Sequence, residues 1–121
     1  MRDDLTIRPY LLRAVYEWCV DNKLTPYLAA QGQRADVHLP PVADGEKIAL
    51  NISGEAVRDL VMSNENVSFT ARFQGATFQV ILPIGAIIAI YAQETGEGFS
   101  FSAILPVSDE NTKVEDNLRV V

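Results

Sequence analysis

Two hydrophobic periods divide this chain. From Pro9 to Val20 the apolar residues recur at helical spacing, and from Tyr27 onward they alternate in the period of two that strands require. Pro9 suits a first helical turn, where its missing N–H costs nothing, and Asp21-Asn22 with Pro26 beyond end the run. At about 100° per residue, Arg13, Glu17 and Asp21 fall on one narrow stripe and leave an apolar arc of roughly 240°. A surface helix needs only about 100° of apolar face. The excess is covered either by the domain's own core or by a second copy of the helix. A short chain has little material to wrap a helix on nearly all sides, and a twofold contact is the commonest remedy. The pattern therefore favours a homodimer, with Leu12, Val15, Tyr16 and Cys19 at its seam.

Tyr27 to Leu39 is a weak strand candidate, broken by Gly32 and ended by Pro40-Pro41, and Asp44-Gly45 is a turn. Lys47 to Ile52 alternates cleanly, with Ile48, Leu50 and Ile52 on one face. Ser53-Gly54-Glu55 reads as the cap of a short helical turn through Leu60, because serine followed by acids suits a helix N-terminus. Val67, Phe69, Ala71 and Phe73 alternate with polar neighbours, Gln74-Gly75 turns the chain, and Phe78, Val80 and Leu82 alternate on the return. That is the strongest hairpin signal present. Pro83 to Ala86 reads as one irregular or helical turn, and Ile87 to Gln93 as a buried strand, although periodicity alone also permits a helix there. Gly96-Glu97-Gly98 turns into Phe99 to Ser102. The expected fold is α+β and mainly β: an N-terminal helix followed by compact antiparallel sheets, curled towards a barrel.

From Ser108 the pattern stops. Residues 108–117 hold four acids, one base and almost nothing to bury, which predicts a flexible acidic linker. Leu118, Arg119, Val120 and Val121 follow. Two readings of this end stand: a short recognition peptide, or a strand that returns to the sheet. The expected organisation is a folded domain over residues 1–107, the linker, and a tail over residues 118–121.

Composition narrows the function. The 121 residues fit one domain, and 48% apolar with 21% charged residues is a globular balance. The net charge of −6 would repel nucleic acid, and the ten basic residues are scattered. The N-terminus has no apolar signal region, the longest apolar stretch is too short to span a bilayer, and a single cysteine allows no internal disulfide. A cytoplasmic protein without membrane contact is the expectation. No candidate chemistry emerges. His38 stands alone, no zinc spacing or phosphate loop occurs, and no serine sits in a nucleophile elbow. Paired acids such as Asp3-Asp4 lie in terminal segments without an apolar pocket. Neither an enzyme nor a cofactor is expected.

Arg8-Pro-Tyr-Leu-Leu-Arg-Ala-Val-Tyr-Glu-Trp18 with Asp21-Asn-Lys-Leu-Thr-Pro26 resembles the N-terminal helix of the stringent starvation protein B family. Ile48-Ala-Leu-Asn-Ile52, Ala71-Arg-Phe73, Pro83 and Ala89-Ile-Tyr-Ala92 follow in that family's order, and the terminal Leu118-Arg-Val-Val121 is similar to its docking tail. The resemblance implies an Sm-like arrangement and an adaptor for the ClpXP protease. Such an adaptor binds the ssrA degradation tag that tmRNA adds to stalled translation products. Its tail docks on the N-terminal domain of the ClpX ATPase. Carried onto matching positions, the tag groove would comprise Asn51, Ile52, Ala71, Arg72, Phe73 and Gly75, and the docking tail Leu118 to Val121. The chain departs from the family in its short acidic linker, in a tail without the lysine expected after the valines, and in Gln74, where glycine is common. A small Sm-like RNA-binding barrel is the alternative, and the acidic charge disfavours it.

Overall fold

The computed structural model describes residues 6–39, 45–101 and 118–120. Helix α1 spans Arg8–Asp21, with Pro9 in its first turn. It ends where the Asn22 N–H and side-chain amide both donate to Trp18 C=O and Lys23 adopts a left-handed φ of 59°. Among the described residues eight strands follow: β1 (Pro26–Gln31), β2 (Lys47–Asn51), β3 (Val57–Met62), β4 (Asn66–Phe73), β5 (Ala76–Pro83), β6 (Ile87–Ala92), β7 (Gly98–Ser100) and β8 (Leu118–Val120). A single 3₁₀ turn, Ile84–Ala86, joins β5 to β6.

The strands form two sheets, ordered β7-β6-β1-β2-β8 and β3-β4-β5. Pairing is antiparallel throughout except for β8, which runs parallel to β2. The β4–β5 hairpin is the one the alternation predicts. Gln74 and Gly75 both take positive φ, 53° and 85°, the combination that matches a two-residue turn to the twist of its strands. Gly98 is needed for closeness: a Cβ there would collide with the backbone of Ile90 and Tyr91 on β6.

Three expectations change. Among the described residues the sheets do not close into a barrel. The first strand ends at Gln31, and the chain returns only as an isolated bridge between His38 and Ile81 of β5. The helical turn expected from Ser53 to Leu60 is a tight turn at Ser53–Ala56 followed by β3. Ser53 begins that turn by accepting the Ala56 and Val57 N–H groups at its backbone carbonyl, a bond that any residue can make. The expected linker over residues 108–117 lies outside the described residues. Among the described residues no helix is long and apolar enough to cross a membrane.

Helix and sheets share one core. Leu28, Ile48, Leu50, Ile52 and Ile90 of the first sheet meet Val67, Phe69, Val80 and Leu82 of the second, and Leu12 of α1 joins the same cluster. Leu11, Val15 and Tyr16 pack at its margin. The helix is pinned to the second sheet by Arg13, whose guanidinium donates to Met62 C=O and Asn64 Oδ1, both at 3.0 Å, and lies over the Tyr10 ring at 4.6 Å. The polar stripe thus contains one residue that holds the layers together rather than facing water.

Truncating Leu12 to alanine should cost about 2–5 kcal/mol, because the site is closed by three elements and cannot collapse. Arg13→Lys should cost about 1–2 kcal/mol, since one ammonium cannot serve both acceptors in a fork. Urea unfolding followed by circular dichroism measures both, and a Leu12→Ala change below about 1 kcal/mol would place the helix outside the core.

Candidate functional site

The turn between β2 and β3 stands between two clefts. Asn51 closes β2 and its side-chain oxygen accepts the Ser53 N–H at 2.9 Å. That bond turns the chain away from the sheet edge and projects Gly54, Glu55 and Ala56, all exposed, as a wall. On one side lies a cleft of about 700 Å³ bounded by the end of α1 and the start of β1, with Lys23, Thr25, Asn51 and Gln93 among its lining. On the other lies a cleft of about 780 Å³ bounded by the second sheet, with Arg58, Thr70, Ala71, Arg72 and Thr77. Both share Gly54, Glu55 and Ala56. Each volume is in the range that holds a ligand or several peptide residues.

Sheet register explains the second cleft. Arg58 stands opposite Thr70, and Arg72 opposite Thr77, so two arginines and two threonines share one face of the second sheet. Ala71 pairs with Val57 and Phe78 and is 8% exposed, so it offers the cleft only a small surface. Arg58 and Arg72 are exposed, as is Lys23 in the first cleft, which places three cations around the shared wall of a chain with net charge −6. In the first cleft Thr25 is fixed by Glu94, whose carboxylate accepts the Thr25 N–H at 2.8 Å and its hydroxyl at 2.6 Å. Those two bonds hold the Glu94 carboxyl below the usual carboxylate range.

Of the six groove positions expected from the sequence, Asn51, Ala71 and Arg72 line the clefts. The other three lie elsewhere. Ile52 is fully buried in the core with Ile48 and Leu50 and has no surface to offer. Phe73 is half-buried and packs on Phe78, with ring centroids 6.2 Å apart. Gly75 is at the exposed hairpin tip and lines neither cleft. Sequence reasoning missed Lys23, Thr25, Arg58, Gln93 and the Gly54–Ala56 wall. The Ser53-Gly54 pair is the signal for that wall, since serine and glycine suit a tight turn as well as a helix start.

Two of the four expected seam residues are covered within the chain itself. Leu12 and Cys19 are fully buried by the chain's own core, so they cannot meet a second copy, while Val15 and Tyr16 are half-buried. Exposed on the helix are Ile7 at 54%, Tyr10 at 56% and Val20 at 53%, with Ala14 also open. Burial pushes the Cys19 thiol up, assisted by the negative charge of Glu94. Among the described residues no group of three potential ligands could hold a metal ion. Residues Leu118 to Val120, expected as a free docking tail, are paired with Lys47 to Ala49 of β2, and Val121 lies outside the described residues.

The sequence model of the family described as stringent starvation protein B (SspB) matches residues 6–120. A stringent starvation protein B homolog of Haemophilus influenzae is 46% identical over 96 residues. Those cover 78% of this chain and 63% of the homolog, so the chain spans less than two thirds of the length of the curated relative it matches.

The Glu94–Thr25 contact predicts a pH dependence whose sign is fixed. A carboxylate with a lowered folded pKa adds stability above its unfolded pKa, near 4.3, and loses it as pH falls through the folded value. Melting temperatures measured from pH 6 down to pH 3 should therefore fall less steeply for Glu94→Gln than for the wild type. Parallel curves would show that the contact contributes nothing in solution.

Proposed function

The chain belongs to the stringent starvation protein B family, and from that premise we propose that it is a non-catalytic adaptor that binds ssrA degradation tags and brings them to the ClpX ATPase of ClpXP. The observation that carries the reading is the pair of clefts on either side of the Gly54–Ala56 wall. They offer an extended peptide a run of side-chain and backbone hydrogen-bonding groups, three cations and one small residue, without any assembly suited to breaking a bond. Asn51, Ala71 and Arg72 are the tag contacts retained from the sequence. Lys23, Thr25 and Arg58 join them. Leu118 to Val121 serve as the docking segment for the N-terminal domain of ClpX, with the cytoplasm as the place of action.

The adaptor acts as a homodimer, joined by the outer face of α1. Positions Ile7, Leu11, Ala14 and Trp18 recur at helical spacing on a face distinct from that of Leu12 and Cys19, and each is at least partly open to solvent. Two tails on one dimer would engage the ATPase together, so a weak single contact is reinforced by the second.

Titration of a fluorescent tag peptide tests the tag reading. Arg72→Ala should weaken binding by at least about tenfold, some 1.4 kcal/mol, because it takes an exposed cation and its donors out of the cleft. Its melting temperature should stay within a few degrees of the wild type, roughly the shift of 1 kcal/mol or less. Tight binding by the variant, or its unfolding, contradicts the assignment. Deleting residues 118–121 should leave tag binding intact and abolish the stimulation of ClpXP at low substrate concentration; undiminished stimulation removes the docking role.

Sedimentation tests the dimer. The wild type should sediment as a dimer at tens of micromolar, and Ala14→Asp as a folded monomer, because the charge enters the seam and not the core. A monomeric wild type at that concentration excludes the helix contact.

A further inference from the structure

The backbone of β2 has two sides with different duties. Gly32 N–H donates to Glu46 C=O at 2.9 Å and Ile52 N–H to Pro26 C=O at 3.0 Å. Even-numbered positions therefore bond to β1, and Lys47 and Ala49 turn their N–H and C=O groups outward. An uncovered row of that kind is a template for any extended chain. Here it is covered by Leu118–Val120, in parallel register with Lys47–Ala49.

The reach is sufficient. β7 and β8 form opposite edges of the five-stranded sheet, and four strand spacings amount to about 19 Å. The 17 residues from 101 to 117 can extend over about 55 Å. A segment tethered this closely meets the edge at high effective concentration, which favours it over free competitors. Its branched Val120 suits a strand.

We propose that the outer edge of β2 is a strand-addition site for the chain's own C-terminal segment, which keeps that segment folded away until a docking partner captures it. The inference rests on the reading above that this segment docks on an ATPase. Backbone groups engaged by Lys47 and Ala49 cannot at the same time pair with a partner's groove, so closed and docked states exclude each other. Three residues in parallel pairing are a small unit that can open without disturbing the rest of the sheet. Docking is then a competition, and its apparent affinity is lowered by the fraction of closed chains.

Two measurements decide it. By amide hydrogen exchange, the outward Ala49 N–H of the full chain should exchange at least about tenfold more slowly than in a chain ending at residue 117; equal rates overturn the proposal. In the second, a peptide of residues 112–121 should bind the isolated N-terminal domain of ClpX severalfold tighter than each site of the full chain does. Ala49→Pro, which removes the outward donor, should raise the full chain to the peptide's affinity. Equal affinities for peptide and unaltered chain overturn the masking. A peptide that does not bind at all defeats the docking reading instead, and the exchange rates then decide alone whether the edge is covered.

Discussion

Burial of Ile48 and Leu50 in β2, and of Ile52 just after it, fixes this strand of the first sheet against the core shared with the second, and the surroundings of both clefts follow from it. With these side chains inward, the pairing of Tyr27 with Asn51 through Gln31 with Lys47 is set, because a slip of one residue would turn three large apolar groups to the other face. Asn51 then emerges at the end of the strand. Its carboxamide holds the Ser53 N–H and directs the chain into the turn that forms the common wall. The same register leaves the outward backbone groups of Lys47 and Ala49 for a further strand.

The remaining elements act by holding that arrangement still. Arg13 ties α1 to the β3–β4 turn, and Leu12 binds the helix to the core. The end of the helix is thereby fixed beside the start of β1, where Glu94 restrains Thr25. The second sheet brings Arg58 and Arg72 to one face by simple alternation. The proposed peptide site, assembled on strand ends and a short turn and backed by a packed core, is largely preorganised, which limits the ordering cost of binding.

Much of the fold was legible because the local signals agreed with one another. Pro9 and Asp21-Asn22 bracketed the helix, clean alternation marked β2, and Gln74-Gly75 between alternating runs marked the hairpin. β3 was not legible. Asp59 takes a positive φ of 57° and the register shifts between Arg58 and Val61, so its apolar residues do not alternate. The site was half legible. Alternation had already grouped Ile52 with Ile48 and Leu50 on a buried face, in conflict with its placement in the groove by resemblance. The wide apolar arc of α1 signals two covered sides without telling which side faces the domain, and Leu12 and Cys19 belong to the core side. Three residues of β8 are too few to carry a period at all.

On the proposed reading, the turn after β2, and not the tip of the hairpin, receives the tag. Amide hydrogen exchange of the full chain, with and without saturating tag peptide, tests it most directly. Binding should slow exchange at Gly54, Glu55 and Ala56, the shared wall of both clefts, and leave Gln74 and Gly75 unchanged. Protection confined to Gln74 and Gly75, with none at the wall, would contradict the account.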